Sequence, residues 1–175
     1  MAFAIPAPAH LAEVARHSPL VEIGAGTGYW AWCLRQLGVD IVAYDRFPPR
    51  THPAPSRGWR GILASGSARN AWFDCYWTDV VRAGATVAGR HGDRTLLLVW
   101  PHGAMGHRAL EAYPGERVVF VGEWKTATTG DARLFRLLER HWDLETLMAM
   151  PQWDGTRHEL RVFTRPGPPR RHPPG

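Results

Sequence analysis

Three glycines at alternate positions, Gly24, Gly26 and Gly28, follow the apolar run Leu20-Val21-Glu22-Ile23 and lead into YWAWCLRQLG. In a strand-to-helix turn such glycines let backbone approach a bulky polar ligand, while Glu22 at the strand end and the helix amides orient its polar groups. Asp45 stands 17 residues after Gly28 at the end of the next apolar run, within reach of ribose hydroxyls in a nucleotide-binding crevice. Its plain alternative is a strand-end cap, or a pair with Arg46 or Arg50. Gly28 is followed by Tyr29-Trp30 and not by Gly-Lys-Ser/Thr, so the loop does not cradle phosphates as a P-loop does, and kinase and ATPase chemistry is disfavoured. His102, in Trp100-Pro101-His102-Gly103, is the candidate general base, because an imidazole that titrates near neutrality can take a proton from a hydroxyl or amine. His107 is a weaker candidate because it belongs to the helix that follows.

Positioning these residues requires alternating strands and helices. Residues 20–23 and 39–45 read as strands flanking a helix from Tyr29 that stops at Gly38, the opening of a parallel strand, helix, strand unit. A short third strand is placed at 79–82, ending at Ala83-Gly84 and followed by a short helix through Ala88; 72–77 is the competing location. The run 95–100 suits a central strand buried on both faces and stops at Pro101. A helix from Gly106, a strand over 117–122 and an amphipathic helix introduced by Asp131 follow, and the pair 144–150 and 158–164 closes the pattern around the turn PQWDG. The expected fold is α/β: one open, twisted, seven-stranded, mostly parallel sheet with helices on both faces and a C-terminal antiparallel hairpin. It divides into an N-terminal segment with a short helix over 1–19, the sheet domain over 20–164 and a Pro/Arg-rich tail over 165–175.

Composition agrees with this division. A chain of 175 residues with 45% apolar and 21% charged residues is globular and of single-domain size. Its 18 glycines and 15 prolines imply short elements joined by substantial loops, chiefly 46–72, where only a weak helix is expected. The nine tryptophans must help to close a small core or line a pocket. The net charge of +5 permits attraction to anions without naming one, and part of it lies in the tail. Cys33 and Cys75 make no disulfide framework, which suits a reducing compartment. The start MAFAIPAPAHLAEVARH lacks the basic opening and continuous apolar core of a signal peptide, and no stretch approaches a membrane span, so a soluble, cytoplasmic protein is expected.

The EIGAGTG loop with Asp45 resembles the cofactor motif of the class I S-adenosylmethionine-dependent methyltransferases. The likeness in topology runs from about Leu20 to Thr164, and its strongest sequence signal lies between Glu22 and Asp45. It implies S-adenosyl-L-methionine as cofactor, with Glu22 facing its amino-acid portion, Gly24, Ala25, Gly26 and Gly28 shaping its approach, and Asp45 holding the ribose. Gly84 is the candidate contact for adenine, with Asp79 a lesser one. The family's Asn/Asp-Pro-Pro-Tyr motif of amino-group methyltransferases falls at Trp100-Pro101-His102-Gly103, and the departure weighs against base methylation by that arrangement.

The activity expected from the resemblance is in-line methyl transfer to a small aromatic or apolar molecule. Tyr29, Trp30, Trp100, Pro101, His102, Glu123 and Trp124 are the candidate substrate residues, while Trp153 is assigned chiefly to covering the final hairpin. Alternatives are a nucleic-acid or protein methyltransferase, a related fold used for binding or a non-methyl reaction, and a NAD-binding Rossmann domain. Neither HxH nor HExxH occurs among the nine histidines, so no required metal is expected. Gly-x-Ser-x-Gly is also absent, which weakens hydrolase readings.

Overall fold

Alternation along the central strands decides which layer each residue joins. Leu20, Leu97, Val119 and Val121 face one side of the sheet with Val14, Trp30 and Leu34, whereas Val21, Ile23, Leu96, Leu98 and Phe120 face the other with Leu110, Leu134 and Leu138. Strands apolar at nearly every position are therefore covered on both faces, as the sequence pattern requires. The computed structural model describes residues 4–48, 77–152 and 154–167. In chain order the elements are α1 (Pro8–Ala15), β1 (Leu20–Ile23), α2 (Tyr29–Gln36), β2 (Ile41–Asp45), β3 (Val81–Arg82), a 3-10 helix (Ala85–Arg90), β4 (Thr95–Val99), α3 (Met105–Ala112), β5 (Arg117–Glu123), α4 (Ala132–His141), β6 (Asp143–Ala149) and β7 (His158–Thr164).

These seven strands form one sheet in the order β3-β2-β1-β4-β5-β7-β6. Strands β1 to β5 pair in parallel; β7 runs antiparallel to both β5 and β6. The α/β architecture with its terminal antiparallel hairpin is the one expected from the sequence. Strand order reverses between β1 and β4, and open sheets of this kind place ligands in the crevice at the carboxyl ends of such strands.

Several boundaries differ from expectation for local reasons. Strand β2 begins at Ile41 because Gly38, at φ 77, closes α2, and Asp40 is held in a two-pronged pair by Arg94, both N–O distances being 2.9 Å. Strand β3 shrinks to an edge of two exposed residues paired with Tyr44 and Asp45. Strand β4 stops at Val99, since Trp100 takes φ 50, in the left-handed region that a strand cannot contain. Helix α4 starts where expected: Asp131 accepts the Leu134 amide at 2.9 Å and receives a contact of 2.5 Å from His107 Nδ1. The possible helix within 46–72, most of the competing strand at 72–77, Trp153, Cys75 and the tail beyond 167 lie outside the described residues. No helix among the described residues is long and apolar enough to cross a membrane.

Candidate functional site

The carboxyl ends of β1, β2 and β4 open into a cleft of about 940 Å³, a size suited to a cofactor or small molecule. Its floor is the glycine loop. Gly24, Gly26 and Gly28 take φ 79, 56 and 74, conformations that side chains resist. Close approach adds a second constraint at Gly28, where a Cβ would lie 2.9 Å from Val80 Cγ2 and 3.2 Å from Thr78 O, whereas at Gly24 it would meet only the flexible end of the Met105 side chain. The Gly24 and Ala25 amides both donate to Tyr44 O, at 2.8 and 3.0 Å, which ties the loop to the end of β2.

That tie brings the two acidic residues to one site. Asp45 Oδ2 accepts the Gly26 amide at 2.9 Å, and Oδ1 accepts the Phe47 amide at 2.7 Å. Each carboxylate oxygen keeps a second lone pair for a ligand hydroxyl. Glu22 shares the Leu20 side of the sheet, beneath the start of α2, where it accepts the Ala31 amide. Its other oxygen, Oε2, has no partner although the residue is only 2% exposed and lines the cleft. Burial first, and then the Asp45 charge, push the Glu22 carboxyl up to about 8.

The cleft brings together Glu22, Gly24, Ala25, Gly26, Asp45 and Gly84 of the expected cofactor set, with Tyr29, Trp30, Trp100 and His102 of the expected substrate set. His102 is exposed at the mouth and the Trp30 indole is buried, donating to Ala4 O at 2.9 Å. Four candidates are not brought to the cleft wall, each held elsewhere. Gly28 supports α2 against Val80 and Thr78 from behind the loop. Pro101 is buried under Gly106, where a Cβ would meet its own at 3.0 Å. Glu123 Oε1 accepts the Arg157 amide at 3.0 Å, joining the loop after β5 to the terminal hairpin. Trp124 turns to the opposite core, edge-on to Phe135 at 5.1 Å, with the Arg161 guanidinium 4.2 Å above its ring. Glu123 and Trp124 thus both carry structural contacts at the end of β5.

Sequence reasoning missed other parts of the wall, including Ala4, Phe47, Met105, Arg108 and Thr128. Phe47 had a readable signal in its adjacency to Asp45, and Met105 and Arg108 in their spacing of one helical turn on α3. Ala4 and Thr128 had none, because they arrive through irregular chain. Among the described residues no three His, Cys, Asp or Glu side chains gather as a metal centre.

No protein-family model and no curated protein matches the sequence. Solved structures do match in fold. The 1,6-didemethyltoxoflavin-N1-methyltransferase of Burkholderia thailandensis, solved with 1,6-didemethyltoxoflavin and S-adenosylhomocysteine, is 14% identical with a TM-score of 0.52, covering 90% of this chain and 77% of that one. The magnesium protoporphyrin IX methyltransferase of Synechocystis PCC 6803, solved with bound S-adenosylmethionine, is also 14% identical with a TM-score of 0.52, covering 90% and 76%. Sp1610 of Streptococcus pneumoniae, assigned to tRNA (m1A22) methylation, is 13% identical with a TM-score of 0.51, covering 90% and 68%. With its strand order, terminal hairpin and glycine-loop cleft, the chain has the fold of the class I S-adenosylmethionine-dependent methyltransferases.

Proposed function

We propose that the protein binds S-adenosyl-L-methionine and transfers its methyl group to a small aromatic or apolar molecule. The observation that carries this reading is Glu22: a carboxylate with an orphaned oxygen, almost fully buried, at the base of a glycine loop whose far side presents Asp45. A buried polar oxygen without a partner is costly, and an ammonium reaching it would both supply a donor and favour the carboxylate that burial otherwise holds protonated. Asp45, fixed by two backbone amides, would accept ribose hydroxyls. The residues present therefore fit the cofactor at both its amino-acid and its ribose ends. Gly84, with Ala83 and Ala85 in the same wall, would give backbone and apolar contact to the adenine.

When bound, the cofactor supplies an electrophilic methyl group on a sulfonium. This chain's residues have to orient the acceptor, exclude water and take up a proton. Trp30, Trp100 and Tyr29 give the acceptor end apolar walls, which favours a small flat molecule over a polymer. His102 at the mouth would act as the general base, taking up the proton that the acceptor's hydroxyl or amine gives up. Much of the rate would come from alignment of the two reactants within the cleft.

The deciding experiment is calorimetric titration of the folded chain with S-adenosylmethionine, S-adenosylhomocysteine and NAD. The first two should bind and NAD should not, and Asp45→Ala should weaken both at least about tenfold through lost charged hydrogen bonds. A folded sample that binds neither sulfur compound, or that binds NAD instead, overturns the proposal.

A further inference from the structure

Trp100 combines features that ordinary core packing does not require. It is a bulky residue at φ 50, directly after β4 at the carboxyl edge of the sheet, and it is one of the residues that line the cleft while packing against the Leu20 side of the core. Strained backbone of this kind persists only where the surroundings over-determine it, and it concentrates at ligand sites. Bonds to two different strands hold this one among the described residues. The Trp100 amide donates to Val121 O at 2.8 Å, extending the β4–β5 ladder by one residue, and the indole Nε1–H donates to His158 Nε2 at 3.2 Å. The two rings meet edge to face with centroids 5.3 Å apart.

His158 is an expensive residue for the first position of β7. It is 1% exposed, and its Nδ1 has no hydrogen-bond partner. An indole N–H can only donate, so Nε2 must be the bare acceptor and the proton must sit on Nδ1; the ring is neutral, and burial favours that neutral form. An apolar side chain would avoid the orphaned Nδ1–H but would leave the indole without its acceptor. The backbone of His158 is fixed in turn by the hairpin: its amide donates to Gln152 Oε1 at 2.7 Å, and its carbonyl accepts from Gln152 Nε2 at 2.9 Å and from the Met150 amide at 3.0 Å. A continuous chain of bonds therefore runs from Gln152 through His158 to the cleft wall.

We propose that His158 is a positioning residue that locks the Trp100 indole as an apolar wall at the acceptor end of the cleft, so that this wall selects flat aromatic rings by stacking. Calling it the acceptor end rests on the methyltransferase reading, in which Asp45 marks the ribose end at β2 and Trp100 lies across β1 from it at β4. With its N–H committed to His158, Trp100 cannot use that group to hydrogen-bond an acceptor amine. The hairpin of β6 and β7, remote from the glycine loop in sequence, thus sets the shape of the substrate side.

The test uses the full chain labelled with ¹⁵N at its indoles, with Trp100→Phe identifying the Trp100 resonance. In His158→Leu that resonance should move upfield and exchange faster, while His158→Gln, which retains an acceptor, should restore part of the shift. Quinoline serves as the flat probe, titrated in the presence of S-adenosylhomocysteine and read at the Trp100 indole. His158→Leu should weaken quinoline about five- to tenfold, the size of one neutral hydrogen bond, with S-adenosylhomocysteine affinity within about twofold of wild type. Trp100→Ala should weaken quinoline at least as much, read by calorimetry, and adding His158→Leu to it should cost nothing further. An unmoved Trp100 resonance in a folded His158→Leu protein, additive losses in the double variant, or no effect of quinoline on Trp100 in the wild type would overturn the proposal. Failure of the wild type to bind S-adenosylhomocysteine is a separate result: it removes the methyltransferase reading, while the indole shift and quinoline titration still judge the role of His158.

Discussion

Glu22→Gln tests the central electrostatic claim without a ligand. Glutamine keeps the size and an acceptor for the Ala31 amide but cannot ionise, so the two proteins differ chiefly in the proton at this position. Burial and the neighbouring Asp45 raise the Glu22 carboxyl from the ordinary 4.5 to about 8. Between those values the folded state binds a proton that the unfolded state has released, so the Glu22 contribution to stability is full below 4.5, falls as pH rises, and levels off above 8. One proton of difference corresponds to about 1.4 kcal/mol per pH unit. Across the three units from pH 5 to pH 8 the advantage of Glu22→Gln should therefore grow by up to about 4 kcal/mol. Urea denaturation of both proteins at pH 5, 6, 7, 8 and 9 measures it, since groups common to both cancel in the difference. A difference that stays constant within about 1 kcal/mol over this range would mean that Glu22 is solvated or partnered, and the argument for a cation at its orphaned oxygen would fail. Saturating S-adenosylmethionine should flatten the wild-type dependence, because an ammonium beside Glu22 favours the carboxylate.

The parts of the fold that were legible in the sequence are those in which local pattern and tertiary demand coincide. The apolar run before Gly24 had to be a central strand, because four consecutive buried positions leave no solvent face. Asp131 announced α4 through an N-cap that the structure contains. The hairpin of β6 and β7 was readable from two runs flanking a turn, although β6 itself is largely exposed at the sheet edge. Less legible were features decided by single backbone angles. Trp100 belongs to an apolar run that continues β4 in every local respect, and only the turn into Pro101-His102 at φ 50 removes it from the strand. Nothing about Val81 and Arg82 distinguishes two paired residues from four, because β3 buries neither side chain.

The candidate site divides along similar lines. Glu22, the loop glycines and Asp45 converge because the strands that carry them are neighbours, and neighbouring strands follow from the alternation of elements. Glu123 and Trp124 occupy an equivalent place at the carboxyl end of β5, yet the chain turns there at Lys125, φ 61, and sends Trp124 into the helix-covered core. Position along a strand thus predicts which edge a residue reaches but not the direction its side chain takes after the strand ends. His158 was hidden for the opposite reason. It starts a strand as the pattern requires, and its role depends on an indole 58 residues away in sequence.

Gly28→Ala should cost about 1–3 kcal/mol in urea denaturation, because it combines a left-handed φ of 74 with a Cβ 2.9 Å from Val80 Cγ2. Gly38→Ala is its reference, at φ 77 with open space around the Cβ, and should cost only the backbone part, about 1 kcal/mol. Equal losses would show that the approach of Val80 places no constraint on the loop. His102→Gln addresses chemistry rather than stability. The residue is exposed at the cleft mouth, so S-adenosylhomocysteine affinity should stay within about twofold of wild type while turnover of a methyl acceptor falls by about a hundredfold, the scale of a lost general base. The loss should be larger for an acceptor hydroxyl or protonated amine than for a nucleophile that carries no proton to remove, because only the former requires a base. If His102→Gln turns over both at the wild-type rate, alignment in the cleft is sufficient for transfer, and His102 has no part in the proton's path.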